Sequence, residues 1–132
     1  MPDYTKVNLG EVENAAAQRG VEGIEARFAR TALDMREGGL SLFRLGPDVR
    51  VPWGHRHGEQ EEVYVVVSGS ARFSLEGEIV ELRPLDAIRV PGPVARGMEA
   101  GPEGAEIIAF GAPNTENKDG ELLGDFWERF GA

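Results

Sequence analysis

His55-Arg56-His57-Gly58-Glu59-Gln60-Glu61-Glu62-Val63-Tyr64-Val65-Val66-Val67-Ser68-Gly69 holds both histidines of a 132-residue chain. One residue separates them, so an extended backbone sends both imidazoles out of the same face, which Trp53 shares. Glu62 opens an apolar run in which Glu62, Tyr64 and Val66 occupy one side and Val63, Val65 and Val67 the other. Two imidazoles and a carboxylate are ligands that borderline divalent metals accept. Two on one strand and the third on the next make a facial set with positions left for water or substrate. The competing reading is that these are ordinary strand residues, their histidines hydrogen-bonded or exposed.

Outward from this stretch, short apolar runs alternate with turn residues. Ile24 to Leu33 ends near Gly38-Gly39, and Leu40 to Leu45 closes on Gly46-Pro47-Asp48. Val49 to His57 and Glu62 to Val67 follow, the latter closed by Ser68-Gly69-Ser70. Ala71, Phe73 and Leu75 alternate with Arg72, Ser74 and Glu76, the period of a half-buried strand. Ile79 to Leu82, Ala87 to Val90, Val94 to Glu99 and Ala105 to Gly111 complete about nine short strands, a pattern that fits a sandwich or barrel.

The ends differ from this core. Leu122, Phe126 and Phe130 recur at helical spacing beside Leu123 and Trp127, which predicts an amphipathic helix over about 121–130. Its apolar face packs on the chain's own barrel or forms a subunit contact. Glu11 to Gln18 reads as a short helix stopped by Gly20, and Asn114 to Gly120 as a surface loop. The length suits one domain, 1–132, with a barrel core of about 24–111.

Composition narrows the partners. The net charge of -9 repels a phosphate backbone and an anionic membrane surface, so neither nucleic acid nor membrane is expected. No apolar run approaches the roughly 20 residues of a membrane helix. The N-terminus does not read as a secretory signal, and the absence of cysteine removes disulfides and thiolate ligands; both point to a cytoplasmic location.

The His55-to-Gly69 stretch resembles the first motif of the cupins: His-x-His, three or four residues, Glu, six residues, Gly. The resemblance covers about residues 40–111. It implies an all-β double-stranded β-helix, a jelly-roll barrel with a short C-terminal helix, often a homodimer. On that mapping His55, His57 and Glu62 are metal-ligand positions, for Mn, Fe, Ni or Zn, and Gly69 is the turn after the strand. The chain departs from the pattern at Val49 and Leu85, where glycines are usual, and at Gly92-Pro93, whose order is reversed. Above all, the last histidine position is Arg96.

A guanidinium stays protonated and offers only donors, so Arg96 is no metal ligand. It could hold an anionic group of a substrate beside a three-ligand metal, reach Glu62 and replace the metal, or point to solvent. Tyr64, Trp53 and Met98 are further candidates for the pocket wall, or plain core residues. The expected function is metal-dependent chemistry on a small, polar or anionic molecule, as in an oxygenase, isomerase or lyase. The alternative is a metal-free binding or structural barrel.

Overall fold

The computed structural model describes residues 1–113 and 119–131, and strands dominate it. They are β1 (Ile24–Phe28), β2 (Gly39–Leu45), β3 (Gly54–His57), β4 (Glu62–Leu75), β5 (Glu78–Leu82), β6 (Ala87–Val90), β7 (Arg96–Gly111) and β8 (Gly120–Leu123). A 3-10 turn, Leu9–Glu11, and helix α1 (Ala15–Gln18) precede them, and helix α2 (Phe126–Phe130) follows. Both N-terminal turns are capped by asparagine: Asn8 accepts from the Gly10 amide and Asn14 from the Ala16 amide. All pairings are antiparallel, in the order β1-β2-β7-β3-β8, with β4 pairing β5, β6 and β7.

The sheet curls around a core that includes Tyr64, Val66, Phe73, Val90 and Ile107, each at most 1% exposed. No helix among the described residues is long and apolar enough to cross a membrane.

Two expected strand breaks are bulges inside long strands. β4 runs through Ser68-Gly69-Ser70, and its register against β7 shifts between Val66 and Ser68 and between Gly69 and Ala71. Gly69 (φ 73°) and Gly104 (φ 80°) meet there backbone to backbone. A Cβ on Gly69 would lie 2.0 Å from the Gly104 carbonyl oxygen, so glycine lets the strand bend without ending. The turn expected at Gly69 is therefore a kink within β4.

Other boundaries also move. β3 begins at Gly54 instead of Val49, because Pro52 cannot donate to the ladder. Upstream of it, Val51 N donates to Met98 O and Ala100 N to Val49 O. β1 stops at Phe28, five residues before the expected Leu33. The Leu85 position, where the cupin pattern has glycine, adopts φ 72° and is 81% exposed, so the chain keeps the left-handed turn and accepts the strain of a side chain.

The expected helix over 121–130 is half strand. Gly120–Leu123 pairs with β3, placing Leu123 opposite Gly54 and Leu122 opposite His55, and helix starts only after Gly124-Asp125. Phe126 is fully buried against Gly54 and Gly97, where a Cβ would lie 2.4 Å and 2.5 Å from its ring. Trp127 Nε1 donates to Val51 O at 2.6 Å. The aromatic face thus packs on its own barrel. Of the loop expected over 114–120, residues 114–118 lie outside the described residues, and Gly120 is in β8.

Candidate functional site

β3 and the start of β4 bring the predicted trio together. One potential ligand atom from each of His55, His57 and Glu62 lies within 4.8 Å of the other two. Glu62 Oε1 is the hub. It accepts from Tyr64 O–H at 2.6 Å, with His55 Nε2 at 3.1 Å and His57 Nε2 at 3.2 Å. The His57 contact lacks hydrogen-bond alignment, and this buried nitrogen has no hydrogen-bond partner among the described residues.

The opposite nitrogen of His57 is fixed by a residue the motif does not contain. His57 Nδ1 lies 2.9 Å from Asp119 Oδ1, while Asp119 Oδ2 accepts from the Glu59 and Gln60 amides at 2.8 and 2.9 Å. With its proton on Nδ1 facing Asp119, a neutral His57 presents a lone pair at Nε2 towards Glu62.

Electrostatics follow this geometry. Burial works to raise the Glu62 carboxyl, but His55, His57 and the Tyr64 hydroxyl outweigh it and hold it well below the usual carboxylate range. For His57, burial works to lower the imidazolium pKa, and the Glu62 and Asp119 carboxylates raise it overall. Asp119 is lowered: burial opposes ionisation, but the two backbone donors and His57 prevail. Burial, and next the neighbouring Glu62 charge, push the Tyr64 hydroxyl up, so it remains a donor.

Arg96 does not reach solvent. It is 1% exposed, opposite His55 across the β3–β7 pair, and its Nη2 donates to Pro91 O at 2.9 Å and Val90 O at 3.3 Å. Nη1 lies 3.8 Å from Glu62 Oε1, and neither Nη1 nor Nε has a hydrogen-bond partner among the described residues. Of the three placements open from sequence, the solvent-facing one is overturned: the guanidinium is buried beside Glu62.

These groups border one cavity of about 730 Å³, within the range of small-molecule sites. Trp53, Tyr64, Met98 and Arg96 all line it, as do His55, His57 and Glu62. Gln60 also lines it and donates to Ala112 O, whereas exposed Glu61 pairs with Arg89. Sequence reasoning missed Asp119, Arg19 and Arg30 on this wall. No local pattern marks Asp119, which is 62 residues from His57.

The donor set suits a divalent cation: two imidazoles and a carboxylate converge, one imidazole nitrogen is buried without a partner, and Asp119 orients that ring. Among the described residues no fourth ligand joins this group, and Arg96 occupies the position where the cupin pattern has its last histidine.

No family model matches the chain, and no curated protein does. Solved structures match over most of its length. A cupin protein, BF4112 from Bacteroides fragilis, aligns with a TM-score of 0.70 at 19% identity, covering 89% of this chain and 91% of that one. A variant of Streptomyces Pac13 with uridine aligns with a TM-score of 0.70 at 19% identity, covering 100% and 95%; Pac13 is described as a nucleoside dehydratase. The polyketide cyclase RemF from Streptomyces resistomycificus aligns with a TM-score of 0.68 at 23% identity, covering 90% and 83%. Together with the curled antiparallel sheet and the short C-terminal helix, these likenesses show that the chain has the all-β cupin fold.

Proposed function

We propose that this chain is an enzyme that holds a divalent cation with His55, His57 and Glu62 and catalyses proton transfer, as isomerisation or elimination, on a small molecule in the cavity. The observation that carries this reading is His57 Nε2: buried, without a hydrogen-bond partner among the described residues, and 3.2 Å from a carboxylate oxygen. Two lone pairs facing each other at that distance repel unless a cation, a proton or a metal lies with them. When bound, the ion would supply Lewis acidity towards a substrate oxygen or a bound water. Asp119 fixes the orientation of His57 through Nδ1. Tyr64 keeps its proton and directs it at Glu62. The apolar wall provided by Met98 and Phe73 limits water around these groups. Dehydration and cyclisation, the activities in the names of two structural neighbours, rest on proton transfer, which favours this branch over oxygenation.

A second reading has its own observation. Arg96 is a buried fixed cation 3.8 Å from Glu62 Oε1, so it could neutralise that carboxylate in a metal-free barrel. Metal analysis of untagged protein purified without added metal separates the two, run on wild type, His57→Ala and Arg96→His. Stoichiometric Mn, Fe, Ni or Zn in the wild type, lost in His57→Ala, is the expected result. A wild type that stays empty at high added metal while Arg96→His fills would overturn the metal reading and leave Arg96 as its replacement.

A further inference from the structure

The chain is acidic, and most arginines away from the cavity are tied to its carboxylates. Arg44 pairs with Glu106 at 2.7 Å, Arg72 with Glu99 at 2.9 Å, Arg56 with Glu121 at 2.8 Å and Arg89 with Glu61 at 2.9 Å. Two exposed arginines that line the cavity differ. Neither Arg19 nor Arg30 has a carboxylate partner among the described residues. Both are exposed and line the cavity.

Each is held in place by something other than an anion. The Arg19 guanidinium lies over the Trp53 ring, 5.1 Å from its centroid. Stacking uses the face of a guanidinium and leaves its N–H edge for a planar anion. Arg30 donates to the carbonyls of Gly38 and Arg36. Five N–H groups per guanidinium exceed these partners, so both retain donors. The lining of the same cavity includes the aromatic rings of Phe28 and Phe43, in edge-to-face contact at 5.9 Å, and of Trp53.

We propose that the cavity takes a small organic anion with a flat apolar body. Arg19 and Arg30 hold its charge at the mouth, and Trp53, Phe28 and Phe43 hold its body above the cluster. The proposal rests on the reading of this cavity as the ligand site. It also reassigns the anion-binding role: Arg96 is buried, with Nη2 on chain carbonyls and Nη1 beside Glu62, whereas Arg19 and Arg30 are exposed. In a chain of net charge -9, two arginines on the cavity wall without a carboxylate partner among the described residues favour the entry of an anion.

The test uses two dyes that share a ring system, 8-anilinonaphthalene-1-sulfonate and neutral N-phenyl-1-naphthylamine, titrated into full-length protein stripped of metal with EDTA. The expected result is one sulfonate dye bound per chain, more tightly than the neutral dye. Affinity for it should fall about tenfold in Arg19→Gln and in Arg30→Gln, the scale of one charge-assisted hydrogen bond. The neutral dye should be unaffected in Arg30→Gln and should change less than the sulfonate dye in Arg19→Gln, whose side chain also covers Trp53, and Arg19→Lys should recover part of the loss. Displacement of the sulfonate dye by 1-naphthoate or by 1-naphthyl phosphate then identifies the preferred anionic group. Equal affinity for the two dyes, equal sulfonate binding in wild type and both glutamine variants, or displacement by neither competitor would overturn the proposal. Because the titration is metal-free, its failure is separate from that of the metal assay on His57→Ala.

Discussion

Gly97→Ala adds a methyl group whose carbon would lie 2.5 Å from Phe126 Cε1, 2.7 Å from Cδ1 and 3.1 Å from Trp127 Cζ2. Phe126 is fully buried, so its ring cannot simply step aside, and overpacking of this kind costs about 1–3 kcal/mol. Phe126→Ala alone empties that space and costs about 3–5 kcal/mol. If the two effects were independent, the double variant would lose about 4–8 kcal/mol. The two severe contacts are with the ring that Phe126→Ala removes, leaving only the milder approach to Trp127, so the double variant should lose little more than Phe126→Ala alone, a coupling of about 1–3 kcal/mol. Gly54→Ala is the control: its methyl would meet the same ring at 2.4 Å but also the Arg96 carbonyl oxygen at 2.6 Å, so Phe126→Ala should rescue it only in part. Urea unfolding, followed by circular dichroism, measures all of these. Additivity of Gly97→Ala and Phe126→Ala within about 0.5 kcal/mol would refute the packing of α2 onto β3 and β7.

Leu85→Gly should stabilise the fold by about 1 kcal/mol, because relief of the left-handed strain outweighs the small apolar contact of a largely exposed side chain; a raised urea midpoint at constant slope is the signature. Asp119→Asn should weaken metal binding about 10–100-fold while leaving the fold intact, read by calorimetric titration and circular dichroism. In metal-free protein, His57 is raised above its ordinary 6.5, so its stabilising contribution is complete below pH 6.5 and fades as pH rises through the raised value. Glu62 is lowered from 4.5, so its contribution is complete above pH 4.5 and fades as pH falls through the lowered value. The cluster should therefore stabilise most between pH 4.5 and 6.5, and unfolding across pH that shows His57→Gln with the same alkaline slope as wild type would contradict this.

The trio was legible because strand parity is local: one residue between His55 and His57, and a strand start at Glu62, suffice to place all three side chains on one wall. What depends on distant pairing was not. The Ser68-Gly69-Ser70 stretch has the composition of a turn, and only Gly104 on the partner strand makes it a bulge. Leu122, Phe126 and Phe130 have helical spacing, yet Leu122 is 52% exposed, because β8 pairs with β3 before the chain coils. Asp119 reaches His57 through that same pairing, just ahead of Gly120 opposite His57. Arg96 could be recognised as the residue in place of a ligand, but its burial against the Val90 and Pro91 carbonyls and Glu62 depends on contacts that no adjacent residue announces.

Charge at the cluster connects the metal and anion readings. With both histidines neutral, Glu62 and Asp119 carry two negative charges and Arg96 one positive, leaving the group one unit negative. A proton on His57 cancels that unit, in keeping with its raised pKa. A divalent ion must displace that proton, so metal uptake releases it and strengthens as pH rises. A bound ion would leave the group one unit positive, since Arg96 supplies a fixed charge where a fourth neutral ligand would otherwise stand. An organic anion held by Arg19 and Arg30 at the mouth would be attracted by that excess across the cavity. Each ligand should thus raise the affinity of the other by the same factor, because linkage is reciprocal.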